Sequence, residues 1–341
     1  MYFVVPTFVK PEKTFMKNNR RHTIATIASL IAAPWTKMVL AQAYPDKPVK
    51  LVVPYATGGG SDAFARLVGP KMAELMGQPF VIDNKPGGGT AIGAVLAARS
   101  APDGYTLLLG DNSTYSVNRI LYSKPNYDSF KDLAPVTLTA RFGLLLVVHP
   151  SVPAKNLAEF VALAKSKPGQ LSFGTPGAGS PHHLAMEMLM QRTGINLVNV
   201  PYRGAGPAVV DLLGGQLPVL LADFATINQH LKAGTVRAIA SCGEKRLALA
   251  PDLPTVAESG YPGFDAWAWQ GFSVPAGTPP AVIAVLNSAY VKAAADPAVR
   301  QKMADFGGEL TPSTPAAMDA YMRAETIKWA KIIEEAKIKI E

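Results

Sequence analysis

From Val49 onward, short apolar runs alternate with stretches of helical periodicity, and this alternation limits the folds open to the chain. "VKLVV" reads as a buried strand, after which Phe64, Leu67, Val68, Met72 and Leu75 recur at helical spacing. "PFVID" is a second strand followed by the turn "NKPGGGT". Ile92 to Ala98 suggests a helix, and "PDGYTLLLG" a turn into a third strand. Strands and helices in strict succession predict an α/β fold with a mostly parallel sheet.

The alternation resumes after "VTLTARFGLLLVVHP". "LAEFVALAKSKPG" reads as an amphipathic helix that stops at Gly169, "LSFGT" as a strand, and "PHHLAMEMLMQRTG" as a helix. "INLVNVPY", "AVVDLLGGQ", "LPVLLAD", "INQHLKAG" and "VRAIAS" complete a second α/β unit. From about Trp267 a Pro/Gly-rich segment precedes two helical stretches, Ala281 to Ala295 and Pro315 to about Ala336.

One local pattern occurs in both units. "LVVPYATGGGSDAFARL" and "LSFGTPGAGSPHHLAMEML" each run strand, Gly-rich turn, helix. Two such turns facing each other would bring two helix N-termini, with their free N–H groups, onto one anionic ligand. Gly58, Gly60 and Ala63 satisfy the dinucleotide pattern G-x-G-x-x-G/A, with Asp83 ending the next strand. Against it, Pro54 to Thr57 separate strand from glycine, and no acid/base constellation follows. No P-loop occurs, and neither Ser61 nor Ser180 sits in a G-x-S-x-G elbow. His183 and Glu187 share a helix face, but two ligands make a weak metal site. A carboxylate suits such turns, since its oxygens accept several N–H bonds at once. No cofactor, metal or catalytic residue is expected.

The net charge of +8 is concentrated at the N-terminus, where six Lys and Arg stand against Glu12 in residues 1–43. That leaves +3 for the remainder, without a basic stripe, which argues against nucleic-acid binding. The basic start, the apolar stretch from Ile24 to Ala33 and Ala41-Gln42-Ala43 form a secretory signal pattern over residues 1–43, with Met16 the more ordinary start. Arg20-Arg21 raises a twin-arginine route beside the general secretory one. The mature chain is expected in the periplasm. Cys242 is the only cysteine, so no internal disulfide forms, and it reads as a small buried apolar residue.

From Tyr44 to the end the chain resembles the extracytoplasmic solute-binding proteins of tripartite tricarboxylate transporters, the Bug proteins. The landmarks run in order: "YPDKPVKLVVPYATGGGSDAFAR", "DNKPGGGTAIGA", "APDGYTLLLG", "GTPGAGSPHHLA", "VPYRGAGPAVVDLLGGQ", "PDLPTVAESGYPGFDAWAWQGF", "PAGTPP" and "ETIKWAKIIEEA". The resemblance implies a two-lobed periplasmic binding protein of type II, a Venus flytrap with a mainly parallel or mixed sheet in each lobe. It places residues 44–144 plus 266–341 in the first lobe and 145–265 in the second.

It also implies the site. In the first turn Tyr55, Ala56, Thr57, Gly59, Gly60 and Ser61 would bind a carboxylate, with Asp62 capping the helix. In the second, Thr175 would donate its hydroxyl, and Gly177, Ala178, Gly179 and Ser180 would close on the same group. Asn112, Ser113 and Asp223 would read the ligand's far end. His183 is structural, and Tyr202-Arg203-Gly204 matches a motif near the cleft. Tyr55 and Thr57 depart from the family's usual Phe and Pro. Trp267 and Trp269 could stack on an aromatic acid, although packing suits them better.

The implied function is capture of a small organic acid (mono-, di- or tricarboxylate, aromatic ones included) by a monomer, and delivery to membrane permease subunits. A ligand-sensing subunit for a receptor is the alternative, and a nicotinamide-dependent oxidoreductase the outsider.

Overall fold

The computed structural model describes residues 1–12, 44–123, 125–335 and 337–338. The secretory signal pattern, from Met16 through Ala43, lies outside these residues. Tyr44–Glu341 forms one compact unit.

In chain order the strands are β1 (Val49–Val53), β2 (Phe80–Asn84), β3 (Thr106–Asp111), β4 (Leu133–Val148), β5 (Ser172–Thr175), β6 (Val198–Pro201), β7 (Val219–Asp223), β8 (Arg237–Ser241), β9 (Trp267–Pro275) and β10 (Gly308–Leu310). The helices are α1 (Gly60–Met76), α2 (Ala91–Ala98), α3 (Asn118–Leu121), α4 (Leu157–Ser166), α5 (Pro181–Thr193), α6 (Ala205–Leu213), α7 (Phe224–Lys232), α8 (Pro280–Ala295), α9 (Pro297–Asp305) and α10 (Pro315–Glu335). A π-helical turn, Ser113–Val117, joins β3 to α3.

Local chemistry sets the helix ends. Ser180 starts α5 by accepting the His183 N–H on its hydroxyl, and Pro181 follows where a missing N–H costs nothing. Gly77 and Gly194 stop α1 and α5 in the left-handed conformation, each returning its N–H to the helix.

The sheet order is β2-β1-β3-β9-β4-β7-β5-β6, with β8 and β10 also paired to β4. Parallel pairs (β1 with β2 and β3, β5 with β6 and β7) form each end, and antiparallel pairs to β4 and β9 form the middle. The sheet is therefore mixed rather than mostly parallel. β4 serves both halves: Leu133 to Gly143 pair with β9, and Leu144 to Val148 pair with β7. The strand changes partners at Gly143/Leu144, so the two halves of the molecule share a covalently continuous strand there.

The largest core cluster holds Leu51, Phe64, Phe142, Phe272, Tyr290 and Trp329, all at most 2% exposed. Phe64 packs its ring against Phe142 and Phe272 at 6.3 Å in both cases. A second cluster, built on Leu145, Leu212, Leu220 and Ile227, fills the half that contains β7. Among the described residues no helix is long and apolar enough to cross a membrane.

Candidate functional site

The strand-to-helix turn after β1 is held from inside. Asp62 accepts the Gly58 N–H at 3.1 Å, the Arg66 Nε–H at 3.0 Å and the Asn84 amide at 3.1 Å. Asn84 also donates to the Tyr55 carbonyl at 3.0 Å, which pins the turn to β2. Burial would raise the Asp62 pKa, but the Arg66, Gly58 and Asn84 hydrogen bonds outweigh it and lower the value. Asp62 is thus a brace of the turn rather than the expected cap: the N-cap of α1 is Gly59, and no side chain caps it.

The turn after β5 is held in a similar way. The Gly179 N–H donates to His183 Nδ1 at 3.0 Å, and His183 Nε2 lies 3.3 Å from Glu187 Oε1. The imidazole therefore carries its proton on Nε2 and serves as a structural acceptor, the role read from the sequence. The same bond takes up the Gly179 N–H, which the sequence reading left open to a ligand. Thr175 Oγ1 lies 3.0 Å from Asn199 Oδ1 and 3.3 Å from the Gly177 carbonyl, so its single proton is engaged within the β5–β6 corner.

These two turns meet. A niche of about 30 Å³ is lined by Tyr55, Ala56, Gly59, Gly60 and Ser61 from the first, and by Pro181, His182, Gly204, Ala205 and Asp223 from the other half. Gly60, Pro181 and Ala205 are the first residues of α1, α5 and α6, and Asp223 immediately precedes α7. Four helix N-termini thus converge on one small space, each with partial positive charge and N–H groups that no helical carbonyl can satisfy. The fit is close. A methyl group on Gly60 would lie 3.0 Å from Asp223 Oδ2, and one on Gly204 3.4 Å from the Ala56 Cβ.

A larger cavity of about 380 Å³ shares Tyr55 and Pro176 with the niche. Ser113, Gly177, Ala178 and Ser180 line it, together with the glycine turn Gly87 to Gly89 and Arg203, which is exposed. Ser113 donates its hydroxyl to the Gly179 carbonyl at 3.0 Å, linking the end of β3 to the second turn.

The sequence-derived site residues therefore divide. Tyr55, Ala56, Gly59, Gly60, Ser61 and Asp223 line the niche, and Tyr55, Ser113, Gly177, Ala178 and Ser180 line the larger cavity. Thr57 is exposed and lines neither. Asn112 is fully buried and faces the core: its Oδ1 accepts the Trp269 N–H at 3.0 Å and its Nδ2 donates to the Trp267 carbonyl at 3.3 Å. Trp269 stacks on Tyr115 with ring centroids 5.8 Å apart, and Trp267 donates its indole N–H to Asp265 at 2.7 Å. Both tryptophans pack.

Three polar side chains that line the niche escaped the sequence reading: Asp111, His182 and Gln270. Asp111 ends β3 as Asp223 ends β7, a repeated strand-end aspartate that could have signalled it. It accepts the Tyr55 hydroxyl at 2.5 Å and the Thr114 N–H and hydroxyl at 3.1 Å each. Burial nevertheless holds its carboxyl above the usual range. Burial also pushes the Tyr55 phenol well above its ordinary value, with the Asp111 charge adding to it, so Tyr55 stays a hydrogen-bond donor. Gln270 donates to Ser61 Oγ at 2.6 Å, which leaves Ser61 its own proton to give. Gln270 lies in β9, the segment read as a Pro/Gly-rich connection.

The profile of the tripartite tricarboxylate transporter family receptor matches residues 64–338. A protein from the tcbD-tcbE intergenic region of Pseudomonas sp. strain P51 is 36% identical over 321 residues, covering 94% of this chain and 95% of its own. Protein BugT of Bordetella pertussis is 35% identical over 312 residues, covering 91% and 94%. Among solved structures, one described as a periplasmic transporter superposes with TM-score 0.84 at 37% identity, covering 88% of this chain and all of its own. Rhodopseudomonas palustris Rpa4515, solved with adipate, gives 0.84 at 33%, covering 87% and 99%. MatC of the same species, solved with malate, gives 0.81 at 33%, covering 85% and 100%. The two-lobed mixed α/β architecture and these matches over most of the chain agree: the protein belongs to the tripartite tricarboxylate transporter receptor family of periplasmic solute-binding proteins.

Proposed function

We propose that the chain captures a small organic carboxylate in the crevice between its lobes and passes it to a tripartite-type membrane permease, performing no chemistry itself. The observation that carries this reading is the convergence of the α1, α5, α6 and α7 N-termini on one niche beside the 380 Å³ cavity. A carboxylate at such a place exchanges water for several fixed N–H donors. The adipate and malate in the R. palustris relatives support the ligand class.

In this reading residues 44–144 with 266–341 form one lobe and 145–265 the other, with the partner switch at Gly143/Leu144 as one hinge strand. The ligand is held by Tyr55, Ala56, Gly59, Gly60 and Ser61 on one side and by Gly177, Ala178 and Ser180 on the other, with Ser113 between them. Binding shifts the population toward the shut form, which the permease recognises. Residues 1–43 serve as a secretory leader, and the mature chain acts as a periplasmic monomer.

Native mass spectrometry of protein purified from the periplasm tests the reading. A retained acid in the mass range of adipate, displaced by excess carboxylate, is the expected result. Protein that carries no acid and shows no thermal shift with any mono-, di- or tricarboxylate would overturn it.

A further inference from the structure

β4 and the lead into β9 carry the chain between the lobes, and register sorts their two faces. Phe142 pairs with Ala268 and Ala140 with Gln270, whereas Arg141 pairs with Trp269 and Gly143 with Trp267. Successive side chains of a strand point to opposite faces. Ala268 and Gln270 line the niche. Arg141 and Trp267 line a different cavity, of about 460 Å³, where the Arg141 guanidinium lies 4.4 Å from the centre of the Trp267 ring. The hinge strands therefore have the niche in front and this cavity behind.

The rear cavity takes its walls from both lobes. Arg141, Trp267 and Ala304 belong to the first, and Lys245, Ala248 and Leu249 to the second. Beside it, two large side chains of the second lobe sit where glycines of the first lobe carry none. A β-carbon on Gly143 would lie 2.4 Å from Leu247 Cδ2, and one on Gly307 would lie 2.6 Å from Phe224 Cδ1. Leu247 and Gly307 also line the cavity, and Phe224 directly follows Asp223 of the niche. These seated side chains set the distance between the lobes without filling the space that separates them. Bending the hinge strands moves the two faces in opposite senses: lobes that part in front approach behind. Protein interiors have low compressibility, so that approach needs empty room.

We propose that the rear cavity is the clearance for opening: the lobes turn into it when the cleft releases its ligand, and bulk placed there holds the chain shut. The inference rests on the two-lobe reading above and adds a control of release on the face opposite the ligand. The linkage is reciprocal. A filled cleft keeps the rear cavity wide, and a filled rear cavity keeps the cleft shut. Ala248 and Ala304 are exposed and end at a methyl group, so the clearance depends on two short side chains in which the core has no stake.

Ala304→Trp and Ala248→Trp fill the cavity from its exposed walls, and Lys165→Trp, exposed on α4 and lining neither cavity nor niche, controls for the added ring. Acetate, succinate, citrate and phenylacetate are titrated into the wild type, and release of the tightest binder is timed by stopped flow. Release from each filled variant should slow at least about fivefold, with the control within about twofold of wild type. Release at the wild-type rate or faster would overturn the proposal. Spin labels at Val81→Cys and Val198→Cys, exposed positions on β2 and β6 at opposite ends of the sheet, read opening with no ligand present. Ala304→Trp should narrow the label distances toward those of the shut form, and a distribution as broad as that of the wild type would overturn the proposal. Failure of all four acids to bind would count against the carboxylate reading and leave the label distances to decide the clearance.

Discussion

Ser113 donates its hydroxyl to the main-chain carbonyl of Gly179 at 3.0 Å, with both residues buried. One follows β3 and the other follows β5, so the bond joins parts of the sheet that pair with different sections of β4. It exists only while the two turns are together. A neutral hydrogen bond of this kind contributes about 1 kcal/mol net. Ser113→Ala should therefore weaken ligand binding about fivefold through the shut form alone. Small-angle scattering should show the variant more open without ligand, and identical dimensions for variant and wild type would contradict the assignment.

Gly60 tests how closely the halves approach. As the first residue of α1 it has no need of a positive φ, and alanine is the better helix former. A β-carbon there, however, would lie 3.0 Å from Asp223 Oδ2 across the niche. Gly60→Ala should leave Tm unchanged or slightly raised while costing closure about 1–3 kcal/mol, the usual range for overpacking. Calorimetry should show the affinity loss, and wild-type affinity would mean the two surfaces do not meet on binding.

Much of the architecture could be read from alternating apolar runs and Gly-rich turns. β1 begins and ends where "VKLVV" does, and α5 starts at the proline that follows its Ser180 cap. The central strand β9 could not, because "WAWQGFSVP" is apolar on both faces and flanked by Pro and Gly, which mimics a connection. With β9 unread, Gln270 and its bond to Ser61, 209 residues away, could not be anticipated. The unit Pro297–Asp305 also went unseen, because it follows α8 after a single residue and has a weak apolar face of Val299 and Met303. The two turns were legible as turns. That His183 occupies the Gly179 N–H, and that Asn112 faces the core, depends on side-chain directions that no spacing rule reveals.

Asp62 should make stability depend on acid pH. Its buried carboxylate accepts from Gly58, Arg66 and Asn84, which holds its pKa below the ordinary carboxylate value despite burial. A lowered folded pKa means the unfolded chain takes up the proton first. The stabilisation is present above the unfolded value of about 4 and is lost as pH falls through the folded one. Asp62→Ala should cost about 1–3 kcal/mol at neutral pH, with a smaller difference from wild type at pH 3. Urea melts at both pH values check this, and a pH-independent difference would rule out the ionised brace.

Cys242 should be inert in the folded protein. Burial first, and the Asp265 charge second, push its thiol up to about 12. The thiolate is the reactive form, so a maleimide or disulfide reagent should not label the native protein even at pH 9. Labelling should become complete in denaturant. The sign for stability is opposite to that of Asp62: the folded thiol keeps its proton longer, so this contribution is whole below the unfolded value of about 8.5 and declines as pH rises toward the folded one. Rapid native labelling at one thiol per chain would show that the segment around Cys242 opens.

Glu325 on α10 is 8% exposed and accepts two indole N–H groups, from Trp269 at 2.9 Å and Trp329 at 2.8 Å. Lys328 lies 3.4 Å from its other oxygen, and the Asn112 amide donates to the indole-bound oxygen at 3.5 Å. The carboxylate thus ties α10 to β9 and to the residue that follows Asp111. Glu325→Leu leaves two buried indole donors without partners, at about 1–3 kcal/mol each. A total loss of about 2–5 kcal/mol is expected, against about 1 kcal/mol for Glu325→Gln, whose amide oxygen still accepts. Urea unfolding followed by tryptophan fluorescence separates the two variants. Because Asn112 precedes Ser113, the leucine variant should also bind ligand more weakly, and the glutamine variant should recover most of that affinity. Equal stability for both variants would show that the indoles find other acceptors and that α10 does not support the site.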